Sequence, residues 1–285
     1  MRKIWRIICY PLLYFVLLLA SSILSVLLTE TFFSMESPGN DALSSVAENN
    51  QFLPELSMIL IAFCAPIILL VLFHNLKSEW KESGFWSFSR SNIFTFIICV
   101  CLGIGIELFI SGAVELLPVR SAIEAFKSQT PQAATRNIWI VVIAMGFISP
   151  IIEEVIFRGV MLERLRTHMD LYVAVFLESL AFSIVHMSVI QGLYALPTAI
   201  ILSVAFIWTR SIYYPIAIHI GCNLFTLART AAMSDVEAMA GHIFGMLIAG
   251  AVIIASGMLL LYIFREDKNP SSAYVAKSRT EAMMR

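Results

Sequence analysis

The chain has 285 residues, of which 59% are hydrophobic and only 14% are charged, and its formal net charge is −1. This composition lies outside that of soluble globular domains and is typical of a polytopic membrane protein in a lipid bilayer. The basic residues are scattered among short connections, which argues against a nucleic-acid partner because phosphate binding needs a concentrated positive surface.

Eight apolar segments have the length of about 20 residues that a membrane-spanning helix needs. They predict spans near residues 4–28, 52–75, 92–114, 137–157, 171–188, 191–209, 212–232 and 241–264. The fourth is expected to continue as an amphipathic helix to about residue 168. Lys and Arg collect before the first span, in alternate connections and in the tail, so both termini are predicted to be cytoplasmic. The predicted fold class is all-α, a polytopic membrane helix bundle.

The segments divide the chain into three regions. Residues 1–136 are predicted to hold the first three transmembrane helices, with an extracytoplasmic loop near 29–51. Residues 137–232 form a core, and residues 233–285 hold the last transmembrane helix and a cytoplasmic tail. No polar stretch is large enough to form a separate soluble domain, so we expect any chemistry to take place in the membrane.

Polar residues interrupt three apolar segments of the core. They are Glu153 and Glu154 on the fourth segment, His186 on the fifth, and His219 and Asn223 on the seventh, all at similar predicted depth. An ionisable group inside a bilayer is costly unless it is paired or faces a polar cavity. The pattern therefore predicts one buried polar site, and the alternative is a polar network with a structural role only.

Helical spacing predicts different surroundings for the two glutamates. Glu154 and Arg158 are four residues apart and share a helix face, so we expect them to form an ion pair. Glu153 is turned by about 100° from Glu154, which makes Glu153 the better candidate to face a catalytic water.

The other two segments carry pairs with the same four-residue spacing. Phe182 precedes His186 by one turn and can pack against it, while His219 and Asn223 present an imidazole and an amide on one stripe. A carboxylate base, an imidazole that helps to hold the water, and amide or imidazole donors for a developing oxyanion would suffice for peptide hydrolysis.

Two more glutamates lie within predicted spans. Glu107 falls in the third segment and Glu178 in the fifth. Each could line a cavity or a substrate path. We expect instead either a structural ion pair, because a buried charge is usually paired, or a misplaced boundary of the span.

Three local patterns occur in order on separate apolar segments: Glu153-Glu154-x-x-x-Arg158, Phe182-x-x-x-His186 and His219-x-x-x-Asn223. Together they resemble the CPBP family of intramembrane proteases, also called the Abi family. That family includes the type II CaaX prenyl endopeptidases and bacterial bacteriocin-processing and self-immunity proteins. The resemblance implies a protease core at residues 137–232, reached from the cytoplasmic side through a cavity and acting on a membrane-associated peptide or protein. We expect a bacterial plasma membrane.

The resemblance also implies roles for individual residues. The implied catalytic residues are Glu153, Glu154, His186, His219 and Asn223, supported by Arg158 and Phe182. Glu153 would activate the water with help from His219, while His186 and Asn223 would stabilise the oxyanion.

Members of the family have been described both as metalloproteases and as glutamate proteases. The mechanism that we prefer uses a water activated by a glutamate and requires no cofactor. The alternative is a zinc ion held by Glu153, His186 and His219 with one open coordination position. The chain contains no His-Glu-x-x-His pattern that would favour zinc.

Two other functions are compatible with the same residues. A non-catalytic protein for bacteriocin self-immunity or peptide binding could use the same cavity. An ion-coupled transporter could use buried Glu and His residues as a proton relay. Transporters often consist of repeated halves, whereas here most intramembrane polar residues lie in the second half of the chain.

Overall fold

The computed structural model describes residues 93–116, 138–186, 188–232 and 242–263, together with scattered positions between 9 and 74. All regular structure in these residues is helical, which confirms the predicted all-α class for this part of the chain. The described positions within the first two predicted spans are helical as well. The predicted loop near 29–51 and the predicted tail lie outside the described residues.

Six helices follow one another from residue 93 onwards in the described part of the chain. They are α1 (Ile93–Glu115), α2 (Ile138–Leu165), α3 (Leu171–Val185), α4 (Val189–Thr209), α5 (Tyr213–Ala232) and α6 (Ile243–Ile263). Each coincides with a predicted segment to within a few residues. The predicted continuation of the fourth segment is confirmed, because α2 runs on to Leu165.

Four of these helices, α1, α2, α4 and α6, are long and apolar enough to cross a membrane. Helix α3 is apolar but has only 15 residues, and α5 has 20 residues but is more polar, since it carries His219, Asn223 and Arg229. The chain is thus a multi-pass membrane protein. A total of eight spans and the cytoplasmic termini stay predictions.

Local capping determines where α3 and α4 begin and end. The Asp170 carboxylate accepts a hydrogen bond from the Tyr172 backbone N–H at 2.9 Å, and the Ser188 hydroxyl accepts one from the Gln191 N–H at 3.3 Å. Both are N-caps that satisfy free N–H groups at a helix start. Helix α4 ends at Thr209, and the next residue, Arg210, has a φ of 53°, the left-handed conformation common just after a helix.

Helices α1 and α5 approach each other closely at two glycines. A Cβ atom at Gly103 would overlap the Ile218 carbonyl oxygen, and one at Gly221 would overlap the Val100 carbonyl oxygen. The Cys222 thiol also donates to the Gly103 carbonyl oxygen at 3.3 Å. Small residues allow this close backbone packing between membrane helices. Helix α1 therefore fixes the position of α5, although α1 lies before the predicted core.

A large buried apolar cluster joins α2 to α3, α4 and α5. It also includes Tyr14, which lies in the first predicted span and is only 4% exposed. The polar residues predicted to be functional lie among the helices that this cluster holds together.

Candidate active site

Helix α2 changes its hydrogen-bonding pattern on both sides of the two glutamates. Val142–Ile148 and Val155–Leu162 are π-helical, whereas the short stretch Ser149–Glu154 between them is α-helical. In a π-helix each N–H bonds to the carbonyl five residues earlier, so side chains point in directions that differ from those in a regular α-helix. Such turns are rare and occur frequently at functional sites.

Glu154 is fully buried and bound on one oxygen by two cationic or potentially cationic partners. Its Oε1 accepts a hydrogen bond from Arg158 Nη1 at 2.9 Å and lies 2.7 Å from His219 Nδ1. Because an ionised carboxylate can only accept, Nδ1 carries the hydrogen and His219 is the donor. The predicted ion pair between Glu154 and Arg158 is confirmed.

Arg158 is itself fully buried and links two acidic residues. Its Nε lies 3.4 Å from Glu178 Oε1, and its Nη2 donates to the Ala199 carbonyl oxygen at 3.1 Å. Ser203 donates to Glu178 Oε2 at 2.6 Å, and the guanidinium carbon stands 4.7 Å from the centroid of the Phe182 ring. Glu178 therefore forms a structural ion pair, as we expected from the sequence.

Glu153 lies in a different environment from its neighbour. Its side chain is 13% exposed, compared with 0% for Glu154. The hydroxyl groups of Tyr14, at 3.1 Å, and of Ser149 donate to Glu153 Oε1. The other oxygen, Oε2, faces His219 Nε2 at 3.8 Å, which is too long for a direct hydrogen bond. The imidazole thus binds one glutamate and faces the other.

The Phe182 ring packs against both histidines. Its centroid lies 4.8 Å from that of His186 and 5.9 Å from that of His219, which confirms the predicted contact between Phe182 and His186. His186 follows the last residue of α3, and its Nδ1 donates to the Phe182 carbonyl oxygen at 2.8 Å. In a neutral ring, His186 Nε2 is therefore an acceptor. It can donate to an oxyanion only as an imidazolium.

Asn223 binds the backbone of α2. Its Nδ2 donates to the Met145 carbonyl oxygen at 2.7 Å. Met145 lies in the first π-helical stretch, where the residue five positions later, Pro150, has no N–H to donate. The side-chain amide of Asn223 supplies the donor that this carbonyl oxygen lacks. Asn223 lies one turn beyond His219 on α5, and the second hydrogen on its Nδ2 is not used by this bond.

Glu107 lies on α1, outside the group of side chains around Glu153. It forms a hydrogen bond with Thr226 and an electrostatic interaction with Arg229, both on α5. These interactions join α1 to α5 at a second polar point, and the structural ion pair expected for Glu107 stays a prediction.

No three His, Cys, Asp or Glu side chains among the described residues are gathered as a ligand set for a metal ion. His219 Nδ1 is engaged by Glu154, and His186 Nδ1 by the backbone of Phe182. Both bonds leave the Nε2 atoms of the two imidazoles available, so they do not exclude the alternative zinc set, and we derive no step through a metal. The zinc alternative stays a prediction that chelation can test.

Two donors to Glu153 were missed in the sequence. Ser149 precedes Glu153 by four residues, so helical spacing could have indicated the contact. Tyr14 is separated from Glu153 by 139 residues, and it lies in an apolar segment with no distinguishing pattern. No local signal could have found it.

Comparison with known proteins supports the resemblance drawn from the motifs. Residues 135–225 match the family described as Type II CAAX prenyl endopeptidase Rce1-like. The chain is also similar to a Bacillus subtilis (strain 168) protein named "Putative membrane peptidase YdiL", with 27% identity over 176 residues, which cover 60% of this chain and 69% of the relative. No solved structure matches the chain significantly.

The family match contains every residue of the three motifs, from Glu153 to Asn223. Both matches support the predicted enzyme class, an intramembrane protease. The predicted resemblance is thereby confirmed: over residues 135–225 this multi-pass membrane protein is similar to the Type II CAAX prenyl endopeptidase Rce1-like family.

Proposed function

We propose that this protein is an intramembrane endopeptidase that hydrolyses a peptide bond with a water activated by Glu153. The observation that carries the proposal is the gap of 3.8 Å between Glu153 Oε2 and His219 Nε2. One water oxygen can contact two polar atoms at such a separation. The opposite nitrogen of the same imidazole is held by Glu154 at 2.7 Å, so the ring has a fixed orientation.

The first chemical step follows from these contacts. Glu153 takes a proton from the water while the water oxygen bonds to the carbonyl carbon of the scissile peptide. His219 Nε2, whose ring has its hydrogen on Nδ1, accepts a hydrogen bond from the same water and aligns it.

The second step returns the proton. Protonated Glu153 donates it to the leaving amide nitrogen as the carbon–nitrogen bond breaks, which regenerates the carboxylate and releases an amine and a carboxylic acid. Any positive charge on the His219 ring during this step is stabilised by Glu154, whose carboxylate binds Nδ1.

Asn223 is the better placed of the two proposed oxyanion donors. One hydrogen of its Nδ2 binds Met145, and the other remains for the developing oxyanion. His186 has committed Nδ1 to the Phe182 carbonyl, so it would act as a donor only when protonated. A neutral His186 would instead accept a hydrogen bond from the substrate or the water.

The expected substrate is a peptide or protein that reaches the site through the membrane. The four apolar candidate spans and the membrane-peptidase relative support this class. We further propose eight spans, cytoplasmic termini and a bacterial plasma membrane. The Lys and Arg distribution supports the orientation, and the bacterial source of the relative supports the location.

The test is turnover of membrane-associated peptides by the purified full chain in proteoliposomes. Glu153→Gln keeps the shape of the side chain but removes the base, so turnover should fall by about 10²-fold to 10⁴-fold. Glu163→Gln is the matched control, because Glu163 pairs with Arg166 at the end of α2, away from the site. Turnover by Glu153→Gln equal to that of the native chain would disprove the assignment.

The same variant separates catalysis from peptide binding. If the protein confers immunity by holding a peptide, protection of cells would survive Glu153→Gln. A protease predicts that protection is lost together with turnover.

A further inference from the structure

Tyr14 reaches the site from outside the segment that matches the protease family. It lies in the first predicted span, whereas the match covers residues 135–225. Its side chain is only 4% exposed and packs in the apolar cluster around α2. At the end of that buried ring, the hydroxyl group donates to Glu153 Oε1 at 3.1 Å.

The hydroxyl acts on one specific oxygen of Glu153. Ser149 donates to the same Oε1, so two neutral donors occupy that atom. A carboxylate oxygen has about two acceptor sites, and both are used here. Oε2 is thus the oxygen turned towards His219 Nε2. A carboxylate without these donors would be free to rotate about its Cγ–Cδ bond, and its two oxygens could exchange places.

We propose that Tyr14 is a positioning residue for Glu153. Together with Ser149 it holds Oε1, so that Oε2 stays directed at the water beside His219. The three motifs do not include Tyr14. The first predicted span therefore supplies a hydrogen-bond donor that the motifs lack. This inference rests on the proposed function, and it extends the site beyond the residues that the family resemblance implies.

The first experiment removes the hydroxyl and keeps the ring. In Tyr14→Phe we expect kcat to fall by about 10-fold to 100-fold, as for a lost hydrogen bond to a charged group, while KM stays unchanged. Tyr172→Phe is the matched control, because Tyr172 is 84% exposed on α3. An unchanged kcat in Tyr14→Phe would overturn the inference, as would a change confined to stability.

The second experiment needs no turnover. With 3-fluorotyrosine at position 14 of the full chain, the ¹⁹F resonance should move in Glu153→Gln and stay in place in Glu163→Gln. A resonance that does not move in Glu153→Gln would show that the Tyr14 hydroxyl is not bound to this carboxylate. Native turnover by Glu153→Gln would instead refute the proposed function, and the fluorine signal would still report on the contact.

Discussion

Glu153 and Glu154 are neighbours in the sequence, but they lie in opposite environments. Glu154 belongs to a closed region in which Arg158 joins it to Glu178, and all three side chains are 0% exposed. Glu153 belongs to an open region in which neutral hydroxyl groups hold one oxygen and the other faces His219 across 3.8 Å. Glu154 is thus fixed by charged partners, whereas Glu153 keeps one oxygen directed at His219 Nε2. On the proposed mechanism, the closed region keeps the site rigid and the open region holds the catalytic base.

The largest expected effect is a loss of stability on removal of Arg158, the cation of the closed region. Arg158→Met leaves Glu154 and Glu178 as buried carboxylates without their shared partner, which should destabilise the protein by about 3–5 kcal/mol. Thermal unfolding in detergent measures this loss. Adding Glu178→Gln to Arg158→Met removes one of the stranded charges and should restore part of the stability.

The matched control is Arg166→Met. Arg166 pairs with Glu163 at the partly exposed end of α2, and such pairs contribute about 0–1 kcal/mol. If Arg158→Met is as stable as Arg166→Met, the buried ion pairs of Arg158 do not stabilise the site.

A smaller effect should follow from displacing α5, whose His219 contacts both regions. Gly103→Ala forces α5 away from α1, because the new Cβ meets the backbone of Ile218. We expect a loss of about 1–3 kcal/mol, typical of overpacking, and lower turnover because His219 moves with α5. Gly245→Ala on α6 is the control, since among the described residues no atom beyond its own stretch of helix lies within 4 Å of its Cβ position. Equal stability and turnover in the two variants would contradict the proposed role of the close contact.

The smallest expected effect is that of a chelator. Because the open region is proposed to work with water and side chains alone, dialysis against EDTA should leave turnover unchanged. Loss of turnover that added zinc restores would instead favour the ligand set Glu153, His186 and His219.

The sequence predicted the contacts that depend on spacing within one helix. Both the pairing of Glu154 with Arg158 and the packing of Phe182 on His186 join residues four apart, so regular helical geometry was sufficient. The opposite orientation of Glu153 followed from the same geometry. The positions of the helices also agreed with the apolar segments, because length and hydropathy determine them.

Contacts between helices could not be predicted in the same way. The bond from Tyr14 to Glu153 and the pairing of Arg158 with Glu178 depend on which faces meet after packing. The sequence predicted only a catalytic role for the Asn223 amide. Its hydrogen bond to Met145 depends on π-helical turns, which no spacing rule predicts. Local periodicity thus predicted residues of the site, and tertiary packing determined their partners.

The length of α3 has a consequence for the surrounding lipid. With 15 residues, α3 is about 22 Å long, whereas the hydrocarbon layer of a bilayer is about 30 Å thick. For α3 to span a bilayer, the bilayer would have to thin locally, or one helix end would have to lie below the headgroups among protein groups. One of the two ends is at His186. We therefore expect membrane thickness to affect the position of His186, a proposed residue of the active site, so lipids of different chain length should change turnover.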